Sequence, residues 1–330
     1  MKRFLAKTTL LGALVLGLML AFLVLPFPYN HDLSAILNKR DLLKDGRSNR
    51  IVFVGGSGLY SALDSPLVEK ELGRPVVNLG LWAGFAITPV LHEISPYLRR
   101  GDTVVIVSEY GRSFDDYLDI SRKWLLALSP LKNLPSLYNC SPSGMKELAK
   151  DSIGLVRSKL EALPQALRMV FRSKQAGVLV SRGYVDYGRF FNAQGDSYRI
   201  FPEAPRPELI KERGADLFSV PSYRDQPVAS LNAFCRDAAA RGISTYFLFP
   251  AYPAEEYRQF RAGLKSYEAR LRRELDCPIV GTPEDFLYPY SLFTDTIHHL
   301  GLRGRKLRTE RIIALLGSEP GVKTPDNAVR

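Results

Sequence analysis

Cysteine is scarce in this 330-residue chain. Cys140, Cys235 and Cys277 stand far apart, and no two of them form a C-x-x-C pair. That spacing gives zinc no thiolate set and gives no thioredoxin-type couple. At most one disulfide can form, and the expectation is three isolated, buried thiols. Histidine is scarcer than its chemistry usually demands, with only His31, His92, His298 and His299, and neither a metal nor a cofactor is implied. Acidic residues are in deficit: 34 Asp and Glu face 45 Lys and Arg, for a formal net charge of +11. No zinc-finger spacing and no basic stretch interleaved with stacking aromatics accompanies that excess, so nucleic acid is not an expected partner. The basic residues are scattered, which reads as a solvated surface suited to an acidic polymer. There is no internal repeat. What is plentiful is apolar sequence, 46% of residues, enough for one large core with an insertion.

One run is too apolar for a soluble surface. Lys2, Arg3 and Lys7 precede an uncharged stretch from Thr8 to Asn30 that is rich in Leu, Val, Ala and Phe. A helix rising ~1.5 Å per residue needs about 20 such residues to cross the hydrocarbon core. Positive residues stay on the cytoplasmic side, which places the rest of the chain outside. The run ends in Leu25-Pro26-Phe27-Pro28-Tyr29 with no small-x-small cleavage site, so residues 1–30 read as an uncleaved anchor. Residues 31–49 are polar and charged and read as a stalk.

A folded domain over 50–317 begins abruptly. Ile51-Val52-Phe53-Val54 is a continuous apolar run closed by Gly55-Gly56-Ser57-Gly58, the pattern of a strand buried on both faces of a parallel sheet. A helix over 64–72, a strand at 75–79, a helix over 86–99 and a strand at 103–107 follow. The alternation stops after Tyr110. Residues 113–224 carry amphipathic helical stretches, such as 145–173, and read as a mostly helical insertion that shapes substrate access outside the sheet. The alternation resumes with a helix at 226–241, a strand at 243–249, a helix at 254–275, a short strand near 278–280 and a helix at 302–316. This predicts an α/β fold with a crossover-connected parallel sheet. The polar tail, 318–330, is expected to be disordered.

In such sheets ligands bind at the carboxyl ends of the strands, where Ser57 stands between glycines that let the backbone turn sharply. A serine hydroxyl needs a base, usually histidine, oriented by an acid. His31 follows the anchor and His92 lies mid-helix in an apolar-periodic segment, so the candidates are His298 and His299. Asp295 precedes them by three and four residues, so one stretch of chain can present acid and base together. The bland alternatives are a turn serine, a helix N-cap aspartate and a surface histidine pair. A dinucleotide loop at Gly56-Ser57-Gly58-Leu59-Tyr60-Ser61 is disfavoured: its last position is Ser61, and the second strand ends near Asn78 with no acidic residue. Tyr184, Tyr187, Phe190 and Phe191 could stack on sugars but fit core packing better.

At these residues the chain resembles the SGNH (GDSL-like) hydrolase superfamily. Val54-Gly55-Gly56-Ser57 matches the nucleophile block, with Gly56 in place of the usual Asp, and Asp295 with His298 or His299 matches the terminal block. The family's Asp-to-His spacing would choose His298. The glycine five residues after the histidine, Gly304, and the likeness of His299-Leu300-Gly301 to a form carried by a membrane-anchored branch of bacterial exopolysaccharide systems choose His299. His299 is therefore the expected base and His298 its runner-up. The resemblance implies a three-layer αβα, flavodoxin-like fold. It implies an oxyanion hole drawn from Gly84, Gly80 and Gly58. It also points to Glu109, which stands where the family has Asn, and Asn78 as substrate-binding positions. Phe191-Asn192-Ala193-Gln194-Gly195-Asp196 resembles a stretch of the same branch.

The implied activity is a serine esterase or O-acyltransferase. It would act through Ser57, His299 and Asp295 on acyl esters, acetyl being the expected group, of a cell-envelope or exported polysaccharide. The alternative is a catalytically inactive scaffold that binds polysaccharide or assembly partners. Expected partners are the acylated glycan, the membrane and envelope assembly proteins. The expected location is the bacterial inner membrane, single-pass, with the C-terminal domain periplasmic.

Overall fold

The computed structural model of the chain describes residues 1–24, 31–81, 87–110, 114, 191–197 and 228–322, together with positions 156, 157, 160 and 164. The chain divides into two units, 1–37 with 117–187 and 38–116 with 188–330. In the first unit, helix α1 (Lys2–Val24) occupies the apolar run. The continuous stretch of α1 whose side chains are described is residues 3–19, and among the described residues no helix is long and apolar enough to cross a membrane. Helix α2 (His31–Asp41) and a 3-10 turn at Leu42–Lys44 occupy the segment read as a stalk.

The second unit is built on a parallel sheet of five strands: β1 (Ile51–Gly55), β2 (Val76–Gly80), β3 (Thr103–Val107), β4 (Ser244–Leu248) and, beyond a short strand elsewhere, β6 (Ile279–Val280). Their spatial order is β2-β1-β3-β4-β6. Chain order reverses between β1 and β3, and a reversal of this kind opens a crevice at the carboxyl ends of the two strands. Every residue of β1, β2 and β3 is buried, which is why they read as continuous apolar runs and not as alternating ones. Glycine is required where β1 ends, because a Cβ on Gly55 would lie 2.5 Å from the Val107 carbonyl oxygen.

Helices cover the sheet. α3 (Ser57–Ser61) and α4 (Ser65–Leu72) pack on β2, α5 (Ile87–Ile94) packs against α6 (Ala229–Ala240), and α6 also packs on β4. The long α7 (Ala254–Glu274) leads towards β6, and α8 (Leu302–Leu316) packs against α4. α4 has well-made ends: Asp64 accepts the Leu67 N–H at its start, and Gly73 closes it with φ +68°. Two short strands, β5 (Tyr252–Pro253) and β7 (Leu287–Tyr288), pair in parallel apart from the main sheet.

Several residues expected on the surface are inside. Arg50 and Asp102 form a fully buried ion pair just ahead of β1 and β3, with Arg50 Nη2 2.7 Å from Asp102 Oδ2. Arg74, also buried, donates to the carbonyls of Asn49, Arg50, Gly101 and Gly321. Lys39 and Arg308 are buried as well. The reading of the basic residues as a uniformly solvated surface is thereby corrected: these side chains satisfy carbonyls and carboxylates left at the ends of interior elements. The tail expected to be disordered from 318 is folded as far as Val322, which is fully buried; residues 323–330 lie outside the described residues.

Of the insertion at 113–224, the second unit describes Phe114 and 191–197. Neither contributes a strand to the five-stranded sheet. The helical stretch at 145–173 falls almost wholly outside the described residues, as do Tyr184, Tyr187 and Phe190. Cys235 on α6 and Cys277 ahead of β6 are both buried, and their thiols hydrogen-bond to one another. These two are a pair and not isolated, which corrects the expectation; Cys140 lies outside the described residues.

Candidate active site

The chain leaves β1 through Gly56, whose extended backbone (φ −85°, ψ −165°) precedes α3. Ser57 is the first residue of that helix, its carbonyl accepting the Ser61 hydroxyl at 2.9 Å. The turn places the Ser57 side chain at the carboxyl edge of the sheet, beside the point where chain order reverses.

The second half of the site comes from the loop between β7 and α8. Its base is closed by a bridge between Phe293 and Leu300 and by the Gly301 N–H donating to the Leu292 carbonyl at 2.8 Å. Phe293, Ile297 and Leu300 are buried and pin the loop to the core. Between these anchors the polar residues face one another: His299 Nδ1 lies 2.8 Å from Asp295 Oδ1, and Thr294 Oγ1 donates to the same Asp295 oxygen at 3.0 Å. His299 Nε2 lies 2.9 Å from Ser57 Oγ. An acid, an imidazole and a hydroxyl thus stand in one hydrogen-bonded line. Burial opposes ionisation of Asp295, but the hydrogen bond and charge of His299, with the Thr294 hydroxyl, outweigh it and hold the carboxyl at about 2. An Asp295 ionised in the neutral range favours the tautomer with the proton on Nδ1, which leaves Nε2 to accept the Ser57 proton.

His298 does not take this place. It is buried, its N–H donates to Thr296 Oγ1, and its carbonyl oxygen would lie 2.7 Å from a Cβ on Gly58. His92 is exposed on α5. Gly304 lets α8 pack closely on Leu300, since a Cβ there would meet the Leu300 side chain at 2.9 Å.

The positions expected to form an oxyanion hole are placed differently. Gly80 donates its N–H to Asn78 Oδ1 at 2.8 Å, and Gly58 donates its N–H to Glu109 Oε1 at 2.7 Å. Both groups are already engaged, which corrects their assignment. Gly84 lies outside the described residues. The Ser57 N–H, by contrast, donates to no described residue, as suits the first position of a helix. Asn78 is fully buried, and its side chain bonds Asp196 Oδ1 at 2.8 Å and accepts the Gly80 N–H, so it braces β2. Glu109 is buried, its carboxylate beside Gly56 and Gly58 of the nucleophile turn. Sequence reasoning missed Arg308, whose guanidinium donates to the Gly58 carbonyl; its helical position gave no signal. Among the described residues no cluster of His, Cys, Asp or Glu could hold a metal ion.

Comparison with known proteins finds no family model and no curated protein that matches the chain.

Proposed function

We propose that the protein is an SGNH-type serine hydrolase or O-acyltransferase, held at a membrane by its N-terminal helix and acting outside the cytoplasm on acyl esters of an envelope or exported polysaccharide. The observation that carries this is the single imidazole bridging Ser57 Oγ and Asp295. As the Ser57 oxygen attacks the acyl carbonyl carbon, its proton passes to His299 Nε2, and Asp295 stabilises the imidazolium. The tetrahedral oxyanion accepts a hydrogen bond from the Ser57 N–H. It collapses by expelling the alcohol, which takes the proton back from His299. Water or a sugar hydroxyl then attacks the acyl-enzyme by the same route in reverse. The three-layer, flavodoxin-like arrangement agrees with the strand order, and the net charge of +11 suits an acidic glycan.

A second reading, a scaffold that binds polysaccharide or assembly partners without turnover, draws on one observation: the Gly58 and Gly80 N–H groups are both engaged within the protein. The two readings part in one experiment. A fluorophosphonate probe should label the purified full-length protein at Ser57, and Ser57→Ala should remove the label while the thermal midpoint stays within a few degrees. Absence of label on a folded wild-type protein would favour the scaffold.

A further inference from the structure

Glu109 ends the run after β3 and reaches across to the turn that follows β1. Its carboxylate is buried, with the residue 4% exposed, and Oε1 accepts the Gly58 N–H. Gly58 is the second residue of α3, where an N–H has no acceptor within the helix. On the other side of the same residue, the buried Arg308 donates to the Gly58 carbonyl. One residue beyond the nucleophile is therefore held at both its donor and its acceptor by buried groups of opposite charge. Glu109 also fills the space beside Gly56: a Cβ built there would lie 2.6 Å from Glu109 Cδ, 2.6 Å from Oε1 and 2.8 Å from Oε2. The Gly56 backbone, at φ −85°, would accept any residue. A side chain at 56 would have to push the Glu109 carboxylate out of the space it occupies.

We propose that Glu109 is the positioning residue of the nucleophile turn, and that Gly56 and Glu109 form a matched pair in which a carboxylate reached from β3 stands where a side chain on residue 56 would otherwise lie. This rests on the reading of Ser57 as nucleophile. The two departures from the family pattern, glycine at 56 and glutamate at 109, then become one compensated change and not two signs of a degraded site. Glu109 acts through Gly58, fixing the direction of the Ser57 peptide that presents both Oγ and the N–H. Small misplacements of a reacting group cost about 10²-fold in rate.

The test uses the full-length protein in detergent, with two readouts. The first is the rate of Ser57 modification by the fluorophosphonate, measured well below each variant's thermal midpoint. Glu109→Ala should slow it about tenfold or more. Glu109→Gln, which keeps an acceptor for the Gly58 N–H, should recover most of that loss. Gly56→Ala should mimic Glu109→Ala in the native background and cost less than about twofold when added to Glu109→Ala, because the space is then free; contacting residues are expected to be non-additive in this way. The second readout is hydrogen exchange of the peptide carrying Gly58, whose protection should fall in Glu109→Ala and Gly56→Ala but not in Glu109→Gln. Should Glu109→Ala fail to fold, Gly56→Ala carries the comparison. Labelling of Glu109→Ala at the native rate, or additive effects of the two substitutions, would overturn the proposal. If native Ser57 does not label at all, the hydrolase reading falls, and the exchange arm alone decides whether Glu109 holds the turn.

Discussion

At the scale of single residues, the site turns on which of two adjacent histidines points at the serine. The loop from Phe293 to Leu300 settles it through its anchors. Ile297 and Leu300 are buried, so the chain must present His298 inward beside Gly58 and His299 across the opening. Substituting His299 should therefore abolish Ser57 reactivity, by about 10⁴-fold in turnover. His298→Ala should act mainly on stability, since it removes a buried imidazole that does not face Ser57. Asp295→Asn tests the tautomer. With its carboxyl held at about 2, Asp295 is ionised throughout the neutral range, and no ionisation of its own should appear in a pH–rate profile above about pH 4. Its amide should lower the plateau about 10⁴-fold, as loss of the orienting acid does in serine triads. A plateau within tenfold of wild type would remove Asp295 from the mechanism. Much of this was legible beforehand: Ser57 from the glycines that close an apolar run, Asp295 with the histidine pair from their closeness in sequence, and His299 over His298 only from the resemblance of the residues that follow it. Glu109, Gly58 and Gly80 were not, because backbone N–H partners are set by packing between strands far apart in sequence.

At the scale of elements, the short segment 191–197 explains how the nucleophile strand's neighbour is held. β2 is an edge strand, and its Asn78 N–H donates to the Gln194 carbonyl at 2.7 Å. Gly195 has φ +97°, and a Cβ there would lie 2.4 Å from the Asn78 carbonyl oxygen, so only glycine fits. Asp196 gathers the Ser65 N–H and hydroxyl, the Asn78 amide and Arg305. Lys39 closes the same corner, donating to the Gly80 carbonyl at 2.5 Å with its ammonium over the Phe191 and Tyr60 rings. Burial lowers the Lys39 pKa to about 7 although Asp196 opposes it. The unfolded lysine titrates near 10.4, so between the two values the unfolded chain binds more protons, and stability must rise with pH across that window. Lys39→Met should flatten that part of the stability curve, measured as thermal midpoint from pH 6 to about 10. A parallel rise in both proteins would show that Lys39 is charged inside. The long elements here were readable from apolar runs, α8 to the residue. The two-residue strands β5 and β7 and the five-residue α3 were not, since periodicity needs more residues than they have. Nor were the buried Lys39, Arg50, Arg74 and Arg308, because a charge in sequence reads as surface until its partner is known.

At the scale of the whole molecule, the remaining question is where the chain sits. Helix α1 runs 23 residues, about 34 Å at the α-helical rise, but its described residues do not make a span long and apolar enough to cross a membrane, so the anchor stays a proposal that experiment must test. Its apolar side chains are exposed in succession: Leu10, Leu11, Leu14, Val15, Leu16 and Leu18 are each about half exposed or more, and at about 100° per residue these positions spread over more than half of the helix circumference. So wide an exposed apolar surface favours lipid or a large core over water. Lys2, Arg3 and Lys7 stand at one end only, and under the proposed anchoring they would keep the amino terminus in the cytoplasm. The full-length chain should therefore sediment with membranes and resist extraction by high salt or carbonate, while a chain lacking residues 1–24 should not. Alkaline phosphatase fused after Arg330 should be active, and a fluorescent protein that matures only in the cytoplasm should stay dark at the same junction. The opposite pair of results would reverse the orientation and leave the catalytic centre facing cytoplasmic esters, taking the envelope substrate away while leaving the Ser57–His299–Asp295 chemistry untouched. If instead the full-length chain is released by salt alone, α1 is not a membrane span.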